Sequence, residues 1–232
     1  PLSSFYGRVV DGIFASEAEV TAAADQGFAT PADGVGRFRY ADLNDDGTIN
    51  DDDRTFIGSP HPDFTYGINL TAAYKGFDMS AFFQGSQGND IFNNDKVYTD
   101  FPTFFNANRS VRVLDSWTPD NLDAELPELS QSITNNEGAA NSFFVEDGSY
   151  MRLKNLQIGY TLNEQVSSYL GMNSVRFYLQ GTNLITITGY DGVDPELQPR
   201  FNGGAIDNLT IGVADNNYPL AAIYSFGINL KF

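Results

Sequence analysis

The sequence contains no cysteine. Disulfides, thiolate metal centres and cysteine nucleophiles are therefore excluded. It has one histidine, His61, set between two prolines in "SPHPDF". A Ser-His-Asp triad would have to use it, and nothing around it reads as a positioned nucleophile, so His61 is taken as a loop residue. There is no Walker loop and no G-x-G-x-x-G, and "GSQG" (Gly85 to Gly88) is not a nucleophile elbow. Carboxylates are plentiful, but no two stand out as the acid and base of a glycosidase. An enzyme is not expected.

Positive charge is scarce. Lys and Arg number 13 against 30 Asp and Glu, a formal net charge of −17 over 232 residues. Such a surface repels a phosphate backbone, so no nucleic-acid partner is expected and divalent cations are better suited. No run approaches about 18 consecutive apolar residues, so no transmembrane helix is encoded. A membrane β-barrel stays open, because its alternating strands give a much weaker hydropathy signal. The chain opens "PLSSFYGRVV", without initiator methionine or signal peptide, and reads as a processed or partial polypeptide.

Aromatics are abundant: 19 Phe and 12 Tyr, with a single Trp. Such side chains fit a pleated surface, and period-2 alternation is the dominant pattern. In "FTYGINLTAAY", Phe64, Tyr66, Ile68, Leu70, Ala72 and Tyr74 share one face. Lys75-Gly76 makes a tight turn into "FDMSAFFQ", where Phe77, Met79, Ala81 and Phe83 alternate with polar residues and Phe82 is the exception. These two runs read as a hairpin. Alternation returns in "NLQIGYTL" (155–162), "VRFYLQGT" (175–182) and "YSFGINLKF" (224–232). A weaker sixth strand is expected over Ser4 to Val10. Long and short connections alternate, as in transmembrane barrels with short periplasmic turns and long extracellular loops. The opposite faces carry Gly, Asn, Thr, Ser and Gln more than Lys and Glu, and aromatics sit near strand ends. The fold expected is all-β: an antiparallel transmembrane β-barrel segment of about six strands. Single-chain barrels begin at about eight strands, so this would be part of one. A soluble antiparallel sandwich also alternates and is the competing architecture.

Within "ADLNDDGTINDDDRTFIG", six aspartates fall between Asp42 and Asp53. Counted from Asp42, side-chain oxygens stand at position 1 (Asp42), 3 (Asn44), 5 (Asp46), 9 (Asn50) and 12 (Asp53). Thr48 at position 7 offers its carbonyl, Gly47 at 6 allows a sharp turn, and Ile49 at 8 can anchor the loop. This is the EF-hand ligand spacing with Asp in place of Glu at position 12. No helix signal flanks it, so a structural Ca2+ is expected rather than a sensor. The competing reading is a solvated acidic turn held by Asx-turn bonds.

Several phrases in order, among them "RFRYADLNDDGTINDDDRTFIGSPHPDFTYGINLTAAYKGFDMSAFFQGSQGNDIFN", "FFVEDGSYMRLKNLQIGYTL", "RFYLQGTNLITITGYDGVDPEL" and "YPLAAIYSFGINLKF", resemble the C-terminal part of SusC/RagA-type TonB-dependent transporters of Bacteroidetes. The resemblance covers nearly the whole chain. It implies a barrel of roughly 22 strands in the outer membrane, in contact with its lipid, with 42–53 in an extracellular loop. It also implies an N-terminal plug, a SusD-type lipoprotein lid, and import of oligosaccharides or peptides energised through TonB. Neither the plug nor the TonB-gripped box has a counterpart in these 232 residues; both belong to the remainder of the transporter. Substrate is expected to pass through the lumen beside Arg176, Tyr178 and Gln180, or to meet the outer loops, and no substrate-binding residue is assigned. The aromatic Phe232, with strand alternation running back from it, resembles a barrel-assembly signal. The alternative function is a soluble, calcium-stabilised extracellular β-domain that binds glycan.

Overall fold

The structure, a computed structural model, describes residues 3–101, 108–130, 135–197, 201–202, 205–206, 210–215 and 217–232. In chain order the first elements are β1 (Phe5–Arg8), β2 (Val10–Ile13), α1 (Glu17–Ala22), α2 (Pro31–Gly34), β3 (Phe38–Tyr40) and β4 (Arg54–Gly58). Then come β5 (Phe64–Tyr74), β6 (Phe77–Gln87), β7 (Asp90–Asn93), α3 (Asp95–Thr99), β8 (Val145–Asp147), β9 (Tyr150–Thr161), α4 (Glu164–Tyr169) and β10 (Ser174–Thr188). The last are β11 (Phe201–Asn202), β12 (Ala205–Ile206), β13 (Val213–Ala214) and β14 (Ile223–Lys231). They fall into two compact units: 1–60, 90–146 and 197–217 in one, and 61–89, 147–196 and 218–232 in the other.

The second unit is a five-stranded antiparallel sheet in the order β14-β10-β9-β6-β5. The expected hairpin is present: β5 and β6 pair from Phe64↔Gln87 to Tyr74↔Phe77. Its turn needs positive φ at both central residues, and Lys75 (47°) and Gly76 (86°) supply it. Register then sets the two faces. Ala72, Met79, Ile158, Leu179 and Phe226 form one row across all five strands, and Tyr74, Phe77, Tyr160, Phe177 and Ile228 form the next. The rows alternating with them belong to the opposite face: Ala73, Asp78, Gly159, Tyr178 and Gly227 between the two, and Thr71, Ser80, Gln157, Gln180 and Ser225 beyond the first. The apolar rows are uncovered: Leu179 is 63% exposed, Phe226 64% and Tyr74 70%. A soluble sandwich buries such rows against a second sheet; none of the described residues covers these.

The expected sixth strand is placed differently. Residues 5–8 are extended, but β1 pairs with β4, outside the five-stranded sheet. Strands β9 and β10 also outrun their expected lengths. Register slips at Phe82/Phe83 on the β6–β9 ladder and at Thr182/Ile185 on the β9–β10 ladder, where Asn183 has φ 52°. Pairing continues beyond these bulges while simple alternation stops. Phe82, the aromatic on the polar side, lies against Gly67 of the neighbouring strand, where a Cβ would sit 3.2 Å from its ring.

The first unit is built around Phe38, Tyr40, Phe101 and Phe144, with Val10, Ile49, Phe92 and Phe143 packed against them. Phe38 and Phe144 are almost wholly buried. Short strands frame this core: β2 pairs with β3, β1 with β4, and β13 runs parallel to β7. The S-x-x-E at Ser16–Glu19 starts α1. Glu19 N–H donates to Ser16 Oγ at 3.3 Å, and Glu19 accepts from Ala15 N–H at 2.9 Å.

Candidate functional site

The acidic loop leaves β3 at Tyr40 and enters β4 at Arg54, with a single 3-10 turn over Asp51–Asp53 and no flanking α-helix. Two residues make its tight reversal, Asp45 with φ 58° and Gly47 with φ 80°. Around them the side chains turn inward to backbone donors. Asp42 accepts from Gly47 N–H (2.8 Å), Asn44 from Asp46 N–H (3.0 Å), and Asp46 from Thr48 N–H (2.8 Å). Asn50 accepts from Asp52 N–H at 2.7 Å, and its amide donates to the Thr48 carbonyl at 3.3 Å. Asp53, fully buried, closes the loop by accepting from Leu43 N–H (2.9 Å) and Asn50 N–H (2.7 Å). Burial pushes the Asp53 carboxyl up. The backbone N–H groups of Asn50, Leu43 and Asn44 outweigh it, with the Arg8 charge adding to them, and hold it below the usual carboxylate range.

All six expected ligands are thus drawn into one loop. Ile49 packs on the aromatic core, as its position suggested. On either side of Thr48, the Gly47 carbonyl accepts from Asp25 N–H and Ile49 N–H donates to the Asp25 carbonyl, both at 2.8 Å. The donor set fits calcium in kind, being all oxygen. One atom points further: Asp42 Oδ1 is buried and meets no hydrogen-bond donor. An orphaned carboxylate oxygen is costly unless a cation or water reaches it. Among the described residues, however, no three His, Cys, Asp or Glu side chains converge as a ready metal cage. Of the six expected ligands only Asp42, Asp46 and Asp53 are carboxylates, and both Asp53 oxygens are bonded to backbone.

A second constellation escaped sequence reasoning. Arg152 and Lys154 on β9 face Asp194 and Glu196 beyond β10. Arg152 donates to Glu196 at 2.9 Å and to Thr186 at 2.8 Å, and is ion-paired with Asp194. Lys154 reaches both Glu196 oxygens at 2.7 Å. Asp194 also accepts from Leu220 N–H at 2.9 Å. Burial raises the Asp194 carboxyl, but Leu220 N–H, Arg152 and Glu196 N–H together hold it below the usual range. The signal was present: two bases at i, i+2 in "MRLKN" match two acids at i, i+2 in "GVDPEL".

Arg176, Tyr178 and Gln180 share the polar side of β10 with Thr182 by register. Tyr178 lies over Gly227 across the β10–β14 ladder, where a Cβ would overlap its ring. His61 is exposed in the link before β5.

No protein-family model matches the sequence. Known proteins do. TonB-dependent receptor P3 of Formosa agariphila is 36% identical over the whole chain, which spans 22% of that protein. TonB-dependent receptor SusC of Bacteroides thetaiotaomicron is 28% identical over 83% of the chain and 17% of its own length. Among solved structures, the RagAB peptide transporter superposes with a TM-score of 0.72 at 27% identity, covering 99% of this chain and 22% of that one. The RagAB peptide importer in its open-open state gives 0.71 at the same identity. The chain therefore spans about a fifth of the relatives it matches. Their names are those of receptors and importers, not enzymes.

Proposed function

We propose that this chain, homologous along its full length to the TonB-dependent receptors of the SusC/RagA type, is the C-terminal part of the barrel wall of an outer-membrane nutrient importer. One observation carries the reading: the apolar rows of the five-stranded sheet are exposed while the polar rows lie on its other face. In a bilayer that inversion is required, since lipid takes the apolar side and the lumen the polar side. The outer edges of β5 and β14 have no strand partner among the described residues. Lipid leaves no backbone group unpaired, so further strands of the same transporter complete them.

The whole transporter would carry a plug, draw energy through TonB, and work with a SusD-type lipoprotein lid to import oligosaccharides or peptides. The 42–53 loop would be extracellular. Asp42, Asn44, Asp46, Thr48, Asn50 and Asp53 would hold a structural Ca2+ there; the orphaned Asp42 Oδ1 supports this. Bound calcium would supply positive charge at the centre of a loop that its own side chains already shape.

The test is a gel of the outer-membrane fraction, heated and unheated, probed with an antibody to the C-terminal peptide. A heat-modifiable band several times larger than 25.5 kDa supports the importer. A band of this chain's own size, released without detergent, refutes it in favour of a soluble calcium-stabilised domain that binds glycan.

A further inference from the structure

Beside the acidic loop, β1, β3 and β4 enclose a cavity of about 230 Å³ with the segment around Asn141. Tyr6, Arg8, Tyr40, Asp51, Arg54 and Asn141 contribute to its lining. Two of these present buried polar atoms that nothing satisfies, Arg8 Nε and Tyr40 Oη. Tyr40 is only 4% exposed. Asn141 lies close enough to act on the hydroxyl, but its polar atoms are engaged: its amide donates to the carbonyls of Glu137 (3.1 Å) and Ala139 (3.0 Å), and its oxygen accepts from Phe143 N–H (3.0 Å). Burial, reinforced by the Glu137 charge, keeps the Tyr40 hydroxyl protonated, so it stands as a donor.

Arg8 is mostly buried, over the Tyr40 ring at 5.5 Å. Its contacts are long: 3.5 Å from Nη2 to the Asn50 carbonyl and 3.9 Å to Asp51. Asp51 is largely in solvent and pairs more closely with Arg54, at 2.9 Å. Arg8 also feels the Asp53 carboxylate, but both Asp53 oxygens are bonded to backbone N–H groups. A buried guanidinium without a close hydrogen-bonded counter-charge is costly, and a charged hydrogen-bonding ligand relieves it. One under-neutralised guanidinium matches a monoanion. The acids nearby, Asp51 at the mouth and Glu137 near Tyr40, oppose a doubly charged phosphate. The volume lies below that of typical small-molecule sites, so it fits an end group rather than a whole ligand. Tyr6, half-exposed and edge-on to Phe56, offers a ring at the mouth for the remainder.

We propose that this cavity binds the carboxylate end of a small solute, with Arg8 pairing to the carboxylate and the Tyr40 hydroxyl donating to it. Peptide C-termini and acidic sugars both present that group. The assignment stands on the first unit alone and does not rest on the import reading.

The test uses the full-length protein, purified and shown to be folded by its thermal transition. Binding of N-acetyl-alanine and of glucuronate is measured by equilibrium dialysis, each beside its neutral amide. Saturable binding of at least one acid, absent for its amide, is expected. Alanine alone would identify peptide ends, glucuronate alone acidic sugars, and both a general carboxylate site. Arg8→Gln should abolish that binding and Tyr40→Phe weaken it roughly fivefold, the loss of one hydrogen bond. If Arg8→Gln fails to fold, Tyr40→Phe decides. No saturable binding, equal binding of the amides, or unchanged binding in the folded variants overturns the proposal, leaving the cavity to water. None of these outcomes bears on the heat-modifiable barrel.

Discussion

Asp78 on β6 and Arg176 on β10 form an ion pair across the strand that separates them. The guanidinium crosses β9 directly over Gly159, the register partner of both Asp78 and Tyr178. A side chain at Gly159 would occupy the space the guanidinium uses. The Gly159→Ala variant should therefore lose the pair and lower the thermal transition only slightly, since solvent screens the two charges. The informative measurement is the double variant: Asp78→Asn should add nothing once Gly159→Ala is present. Additive losses would mean the glycine and the ion pair act separately.

The two faces of β10 differ by one residue. Leu179 belongs to the exposed apolar row and Gln180 to the polar one. An arginine on the lipid side near the bilayer centre costs about 2–4 kcal/mol. Leu179→Arg should sharply reduce the heat-modifiable form in the outer membrane, and Gln180→Arg should leave it intact. The reverse order would put lipid on the wrong side of the sheet.

Breaking the buried network should be more expensive. Arg152 and Asp194 are nearly fully buried, and in Arg152→Ala Asp194 loses the one guanidinium partner it has among the described residues. Such removals cost about 3–5 kcal/mol. A thermal transition unchanged by Arg152→Ala would show that water or Lys154 replaces it without loss.

The acidic loop should loosen in acid. Asp53 has its folded pKa depressed. Its contribution is therefore present above the unfolded value of about 3.9 and lost as pH falls through the lower folded value. In chelated protein, amide protection at Leu43 and Asn50 should drop across that window. Asp53→Asn should remove this step while weakening protection at all pH values.

Calcium should act on the same loop. Added to chelated protein at concentrations approaching about 10⁻³ M, it is expected to raise protection across 42–53, and Asp42→Ala with Asp46→Ala should abolish the gain. A loop whose protection ignores calcium would leave the side-chain bonds as its whole support. If the double variant also leaves lid docking unchanged, the loop has no part in seating a lid.

Much of the five-stranded sheet was legible because register repeats with period two. Phe64–Tyr74, its turn at Lys75-Gly76 and the start of β6 follow from alternation alone. The bulges were not legible. Past Phe82 and Thr182 the ladders slip, and Tyr150–Lys154 is largely buried, so that part of β9 lacks the alternating exposure that betrays a strand. Residues 5–8 alternate well enough, but alternation does not specify a partner, and theirs is β4 rather than the wall. In the loop, spacing placed Gly47 at the reversal and Ile49 on the core. It did not show that both Asp53 oxygens face backbone N–H groups, because a carboxylate's target is not written in its spacing. The Arg8–Tyr40 cavity joins residues far apart in sequence and carries no motif.

The chain leaves the five-stranded sheet at Asn89 and returns to it at Gly148, and a backbone bond of 2.8 Å from Gly148 N–H to the Asn89 carbonyl joins the two points. Everything between them is an excursion whose ends already touch. The β6–β9 pairing is closed off by that bond, so insertion, replacement or shortening within the excursion is expected to leave the sheet's register intact. In the importer proposed above, such a junction would let the excursion change its content while the paired strands keep theirs.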